Sequence, residues 1–360
     1  MQRKRQKFLG LDIGGANLKA AISDGTARLI PFALWKQPQQ LGDQLRRLID
    51  SMPQHDMLAV TMTGELCDCF ESKRHGVSAI LDAVESAAGN AEVRVWRNDG
   101  RFVDMQMARQ TPLQVAAANW LALATYAGRF APEGAALVID IGSTTTDIVP
   151  LVDGKPIPKG RTDPKRLRDC ELVYAGARRT PLCALLWNSV YMMPAAAELF
   201  ATTLDVCLIL DLIPENADDC DTADGRPATK ACAHARIARM ICADMETSTA
   251  DERRFLADEA FRRLISMIML KLTIVMQRNS ATPHTIVTSG SGSFLIPAIL
   301  DAQWRHASAE RRRKGSREKK TPHLKGVNQI PLSDNIGEGA SAAACAYAVA
   351  VLAGEQLHAD

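Results

Sequence analysis

The sequence predicts an α/β protein made of two similar halves around a central cleft. Three observations carry that expectation. An apolar run ending in Asp-Ile-Gly opens each half, once at Phe8–Ile13 before Gly14 and again at Val138–Ile141 before Gly142. In both places a second apolar run follows, and then an Asp-Gly hairpin signal, Asp24-Gly25 and Asp153-Gly154. The chain has 360 residues, more than one ordinary domain needs, and its 47% hydrophobic content supports a sizeable core.

Taken in order, Phe8–Ile13 and Asn17–Ile22 read as strands joined by a Gly14-Gly15-Ala16 turn, with Arg28–Leu34 as a third strand. Apolar residues at 41, 45, 48, 49 and 52 place one helix face over Gln39–Met52. Met57–Met62 reads as a buried strand, Val77–Ala88 as a helix, Glu92–Trp96 as a strand and Leu113–Tyr126 as an alanine-rich helix. The pattern restarts at Ala136, with strands over 136–141 and 145–152. Between Lys159 and Thr249 charge and proline accumulate, and only Ala195–Leu212 and Ala231–Asp244 look helical, as in a functional insertion. Asp251–Arg278 is then a long helix, Thr285–Thr288 a strand, Phe294–Leu300 the start of a helix and Leu324–Ile330 a strand. Asn335–Ala353 closes the chain as a helix behind Gly337-Glu338-Gly339. The expected domains are 1–133 plus 335–360, and 134–334 with residues 159–249 inserted.

The net charge of +2 comes from 43 basic and 41 acidic side chains, a balance that argues against a general polyanion binder. Nine cysteines without zinc spacing read as reduced thiols in a cytoplasmic protein. The basic Met1–Lys7 stretch precedes no apolar signal region, and Ala195–Ile213 is interrupted by Glu198, Asp205 and Asp211, so no membrane span is expected. Residues 305–320, with eight basic and two acidic side chains, read as a solvated surface loop without stacking aromatics for nucleic acid.

Three turns carry the chemistry. Gly14, Gly15 and Asn17 form the first, and Gly142, Ser143, Thr144, Thr145 and Thr146 the second. Ser289, Gly290, Ser291 and Gly292 form the third. Backbone N–H groups and hydroxyls at such turns suit phosphate. Asp140 and Asp147, flanking the second turn, would repel phosphate unless a hard cation sat between them, so Mg²⁺ is expected there, held from opposite sides by Asp12 and by Asp140 or Asp147. Lys19, seven residues after Asp12, lies where its ammonium could reach a terminal phosphate. An ordinary hairpin accounts for any one turn; three in order within a duplicated pattern point to a ligand cleft.

With these motifs the chain resembles the sugar kinase/Hsp70/actin superfamily. That resemblance implies two ribonuclease-H-like (actin-like ATPase) domains, with mixed five-stranded sheets around the cleft. Thr61–Leu66, the Asp140–Asp147 turn, Gly160–Asp163, Glu171–Tyr174 with Arg179-Thr180-Pro181, and Ala223–Pro227 carry a narrower resemblance. Together they are similar to the hydantoinase/oxoprolinase-related proteins of the tetrahydromethanopterin-linked one-carbon transfer pathway. Cys170, where related sequences usually have glycine, and the basic 305–320 stretch depart from that pattern.

The resemblance implies a transferase of methanofuran-type cofactor biosynthesis. It would join an aminomethylfuran diphosphate to a phenolic amine and release diphosphate. Lys19 and Arg161 are then candidates to neutralise charge, Glu65 or Asp163 to accept the phenol proton, and Asp147 to complete the catalytic set. Glu65 as a helix cap and Arg161–Asp163 as a structural ion pair remain open readings. The alternatives are an ATP-dependent hydrolase of hydantoinase/oxoprolinase type, a small-molecule kinase, or a non-catalytic nucleotide-binding protein. The expected partners are a small-molecule diphosphate and an amine or phenol acceptor, with ATP the other candidate occupant and a homodimer compatible with the reading. Neither a nucleic acid nor a membrane is expected as a partner.

Overall fold

The computed structural model of the chain describes residues 7–187, 194–279, 282–314, 324 and 326–357. The basic residues 1–6 and 315–320 therefore lie outside the described residues. The first half runs β1 (Phe8–Ile13), β2 (Asn17–Ile22), β3 (Ala27–Pro31), α1 (Leu41–Asp50), β4 (Met57–Met62), α2 (Lys73–Ala88), β5 (Glu92–Trp96) and β6 (Phe102–Val103). Helices α3 (Met105–Gln110), α4 (Pro112–Val115) and α5 (Asn119–Ala127) lead to the second half. That half opens with β7 (Ala135–Ile141), β8 (Thr146–Val152), β9 (Lys155–Pro156), α6 (Asp163–Arg168) and β10 (Leu172–Val173). Four helices follow: α7 (Leu182–Leu186), α8 (Thr203–Ile209), α9 (Lys230–Arg239) and α10 (Ala250–Arg278). Then come β11 (Thr285–Ser289), α11 (Ile296–Lys314), β12 (Asn328–Pro331), α12 (Leu332–Ile336), α13 (Glu338–Ala342) and α14 (Ala344–Gln356).

The two sheets repeat one topology. Their orders are β3-β2-β1-β4-β5-β6 and β10-β8-β7-β11-β12, with β9 sharing the β8 edge with β10. In each, an antiparallel hairpin opens the sheet and its first strand then pairs in parallel with a later one, β1 with β4 and β7 with β11. This is the ribonuclease-H-like order twice over. A short extra strand joins each set of five.

Alternation along the strands builds three apolar cores. Leu9, Leu11, Ile13, Leu58 and Val60 face an outer core beneath α1 and α2. Leu137, Ile139, Ile141 and Ile148 face a second outer core beneath α8, α9 and α10. The intervening residues Phe8, Met57, Ala59, Val138, Val149 and Val287 share one central core with α5 and α14. Side chains in a strand point alternately to opposite faces, so each sheet is covered on both sides.

Several expectations shift for local reasons. The predicted 113–126 helix divides into α4 and α5 because Ala117 takes a left-handed φ of 46°. The predicted 195–212 helix shortens to α8, whose start is set by a Thr202–Asp205 capping box. The closing helix divides at Gly337, whose φ of 80° cannot continue a helix, and again at Ala343. The basic stretch expected as a loop is helical as far as Lys314, continuing α11.

Helix α14 passes so near β1 that a Cβ at Gly10 would sit 1.8 Å from the Ala346 carbonyl oxygen. Neither backbone can retreat without opening the central core. Gly10→Ala should therefore lower stability by about 1–3 kcal/mol, in the manner of an overpacked core. Gly42→Ala is the control, since its Cβ would lie 3.8 Å from the nearest atom. Chemical unfolding of the two variants should separate them clearly, and equal midpoints would contradict this packing account.

Candidate functional site

Strand register assembles the site at the ends of the parallel strands. Asp12 lies opposite Lys19 on β2 and opposite Thr61 on β4. In the second sheet Asp140 lies opposite Asp147 on β8 and opposite Ser289 on β11. All six alternate with outer-core residues, so all six belong to the sheet faces that meet the central core. Two carboxylates thus form a middle row. Lys19 and Ser289 flank it on one side, and Thr61 and Asp147 on the other.

The turns beyond these strands are equivalent in the two halves. Gly14 donates its N–H to the Asn17 carbonyl at 3.0 Å, and Gly142 to the Thr145 carbonyl at 2.8 Å. Behind the second turn, the N–H groups of Ala177, Arg178 and Arg179 donate to the Gly142 and Ser143 carbonyls. The turn's oxygens are thereby engaged from outside. Among the described residues, the N–H groups of Gly15, Ala16, Ser143 and Thr144 find no protein acceptor, as an anion cradle requires. Gly290 packs against Asp140 with φ 90° and leaves no room for a Cβ, which would fall 2.6 Å from the Asp140 Oδ1.

Charge dominates the interior of the cleft. Burial raises the Asp12 carboxyl above its usual range, and Lys19 and the Asn119 amide only partly offset it. Lys19 Nζ lies 3.8 Å from Asp12 Oδ2, while Oδ1 has no hydrogen-bond partner. Asp140 is pushed up to about 6 by burial and by the Asp147 charge, with Asp12 adding to the effect. Burial opposes the Lys19 ammonium, but Asp12, Cys345 and Asp140 outweigh it and hold its pKa above the ordinary value. Asp147 is likewise raised by burial, against the pull of Arg166. The Cys345 thiol, buried beside these groups, is carried well above its usual range by burial and the neighbouring carboxylates.

On the Lys19 side a cavity of about 380 Å³ opens between the halves. Asn17, Lys19, Asp140, Gly142, Ser143 and Ser289–Ser291 line one end. The cavity continues to Pro331, Ser333, Glu338 and Ser341. Its charged wall residues are Lys19, Asp140 and Glu338. A second concavity of about 500 Å³ is lined by residues of α1, α2 and the segments after them. It lies at the opposite ends of the strands, away from this chemistry.

The Asp147 side is built from charges that cross between the halves. Asp147 Oδ1 is 2.8 Å from Nη1 of Arg166, whose guanidinium lies 3.9 Å over the Trp120 ring and donates to the Glu171 carbonyl at 3.0 Å. Nearby, Lys73 Nζ lies 3.1 Å from Asp163 Oδ2 and 3.5 Å from Glu65 Oε1. Glu65 is 1% exposed, and its Oε2 has no hydrogen-bond partner. Burial raises the Glu65 carboxyl, Lys73 draws it back, and Asp163 raises it again.

The expected site residues thus divide. Asp12, Lys19, Asp140, Asn17, Gly142, Ser143, Ser289, Gly290 and Ser291 come together around the cavity. Gly14 and Gly15 form the adjoining turn, while the Thr146 hydroxyl donates to the Ala175 carbonyl and braces the second turn from below. Thr144 and Thr145 lie in that turn; Gly292 packs its Cα against Ile141 and Ala177. Glu65, Asp147 and Asp163 occupy the opposite side. Arg161 is exposed and donates to the Asn98 carbonyl at 3.1 Å, and Asn98 donates back to the Arg161 carbonyl. The open reading of an Arg161–Asp163 ion pair gives way to a pair between Asp163 and Lys73, a residue the sequence reading did not select. Arg166, Trp120, Glu338 and Cys345 also enter the site without a recognisable local motif.

Among known proteins, the hydantoinase/oxoprolinase family model matches residues 56–303. The (4-{4-[2-(gamma-L-glutamylamino)ethyl]phenoxymethyl}furan-2-yl)methanamine synthase of Methanocaldococcus jannaschii is 33% identical over 357 residues, covering 97% of this chain and 98% of that protein. The synthase of the same description from Methanococcus vannielii is 38% identical over 168 residues, covering 46% of this chain and 74% of that protein. Among solved structures, a ROK-family protein of Streptococcus pneumoniae in complex with sucrose aligns with a TM-score of 0.45 and 14% identity, covering 98% of this chain and 99% of that one. An archaeal actin homologue aligns with a TM-score of 0.43 and 12% identity, covering 97% and 100%.

Asp140 provides a pH test of this electrostatic account. Its proton is held more tightly in the folded chain than in the unfolded one, so stability should fall as pH rises from about 4 through about 6. The contribution is about 3 kcal/mol at neutral pH. Asp140→Asn should remove that part of the slope and unfold at higher temperature than the parent at pH 7.5. Parallel stability–pH curves for the two proteins would refute the buried repulsion.

Proposed function

The chain belongs to the hydantoinase/oxoprolinase family, and we propose that it is a diphosphate-releasing transferase that forms an aryl ether on a furan. The supporting observation is the division of the cleft into two sides by the Asp12–Asp140 row. Phosphate-type turns and Lys19 lie on one side, and a buried carboxylate with a free oxygen lies on the other. The product named for the relatives contains a phenoxymethyl group on a furan-methanamine. Making that bond from a phenol requires a leaving group on the furfuryl carbon, and a diphosphate suits the two turns. The role matches biosynthesis of a methanofuran-type one-carbon cofactor.

In this reading the diphosphate of an aminomethylfuran diphosphate lies along Gly14–Asn17 and Gly142–Thr145, with Lys19 against its charge. Glu338, at the far end of the cavity, faces the primary ammonium. The acceptor phenol enters from the Thr61–Asp147 side. Its oxygen attacks the furfuryl methylene carbon as the carbon–oxygen bond to diphosphate breaks, and Glu65 takes the hydroxyl proton. The products are the ether, diphosphate and a protonated Glu65. A phenol pKa near ~10 makes a placed base important, and Glu65 gains basicity from its burial.

Asp12 and Asp140 fit a Mg²⁺ ion. The buried Oδ1 of Asp12 lacks a partner, and Asp140 is destabilised by the Asp147 and Asp12 charges, a combination a cation relieves. Among the described residues no cluster of three His, Cys, Asp or Glu side chains could hold a metal. Substrate phosphate oxygens and water would therefore complete the set, as is usual for Mg²⁺. When bound, the ion supplies charge stabilisation to the departing diphosphate.

The extension of the cavity past the phosphate turns to Ser333 and Ser341 favours one other reading, an ATP-dependent hydrolase or kinase. The two readings separate in one assay. Purified protein with Mg²⁺, aminomethylfuran diphosphate and a phenolic amine should release diphosphate in step with ether formation. Lys19→Ala should reduce turnover by about 10²–10³-fold, the scale for losing one preorganised charge-stabilising group. ADP formation stimulated by an added substrate, without diphosphate release from the furan, would replace this proposal with the ATP-dependent one.

A further inference from the structure

The Lys73 contact joins the two halves at the point where the proposed base lies. Lys73 opens α2, and its ammonium reaches Glu65 of the first half and Asp163 of the second. One helical turn later, Gly76 faces the Glu65 backbone so closely that a Cβ there would fall 2.1 Å from the Glu65 carbonyl oxygen. Residues 73 and 76 share a helix face, so α2 holds the backbone of Glu65 and its side chain with one surface. One carboxylate oxygen is then directed to Lys73 and the other is left buried without a donor. Leaving such an atom unsatisfied is costly, and a ligand hydroxyl would recover that cost.

We infer that Lys73 is a positioning residue for the proposed reaction, holding Glu65 across the cleft against Asp163 so that the free Glu65 oxygen receives the acceptor hydroxyl. This rests on the functional reading above. The charged and titratable groups that face Glu65 are Lys73 from α2, Asp163 from α6 and the Cys67 thiol from the loop after β4. Lys73 favours the ionised carboxylate, while Asp163 opposes it. Their removal must therefore act in opposite directions. A purely structural bridge would lose stability with either partner and would leave the kcat of the folded variants and its pH profile unchanged.

The test uses the full chain with ¹³C-carboxyl-labelled glutamate, the Glu65 signal being assigned by its absence in Glu65→Gln. In the substrate-free protein, Lys73→Met should move the Glu65 titration to higher pH, and Asp163→Asn should move it lower. With substrates, Lys73→Met should lower kcat by about 10²-fold, the lower end for general-base catalysis, and shift the acid limb of the kcat profile upward. The KM for the furan diphosphate should stay within twofold, and Lys73→Arg should restore most of kcat. If Lys73→Met does not fold, the Asp163→Asn and Lys73→Arg titrations still decide the matter. Unmoved titrations, or movement of both variants in the same direction, would overturn the inference. A parent protein inert toward both substrates would remove the proposed reaction and the positioning role with it, while the substrate-free titration would still show whether Lys73 sets the charge of Glu65.

Discussion

The gathering of three carboxylates at one crossing of two sheets, Asp12 buried and Asp140 and Asp147 partly buried, is the constraint on which the rest of the site depends. Asp12, Asp140 and Asp147 are each destabilised by desolvation, and Asp140 also by its neighbours. Two cations answer them directly, Lys19 beside Asp12 and Arg166 beside Asp147. Burying an unpaired charge is far costlier than burying a paired one, so these cations must be placed as firmly as the acids. Arg166 illustrates how: at 1% exposure it is clamped by a carboxylate, a backbone carbonyl and an indole face. The charge that remains unbalanced faces the cavity, where a cation and a phosphate together could neutralise it.

That arrangement needs the two sheets to share an interior. The central core supplies it, with α5 and α14 lying between strands of both halves. Each strand uses one face for the outer core and one for the shared core, and the site residues occupy the last positions of the shared face. Site and core are therefore consecutive parts of one alternating pattern. A register slip of one residue would turn Asp12 or Asp140 into an outer core and place a leucine or isoleucine in the cleft.

This explains what could be read from the sequence. Asp12, Lys19, Asp140 and the turns after them were legible because strand periodicity and glycine turns are local signals. The Lys73–Asp163 contact joins residues 90 apart and depends on how the halves meet, which no local pattern encodes. Arg166 lay in a charged stretch where no helix was expected, and Trp120 looked like part of an alanine-rich helix. Arg161 was a candidate to neutralise charge, with an ion pair to Asp163 as the open alternative, yet α6 begins between them and directs the two side chains to different partners. Cys170 has a physical account as well: its φ of 62° lies in the left-handed region that glycine occupies without strain.

Helix α14 follows every strand in chain order, yet it packs on β1, β2 and β4 and fills the core that both sheets share. During synthesis, the first sheet must wait for the last helix before its inner face is covered. Until then Phe8, Met57, Ala59 and the glycine notch at Gly10 remain open to other partners. The cleft between the two sheets is therefore enclosed only once α14 is in place, and residues far apart in the chain must meet before Asp12 and Asp140 share it.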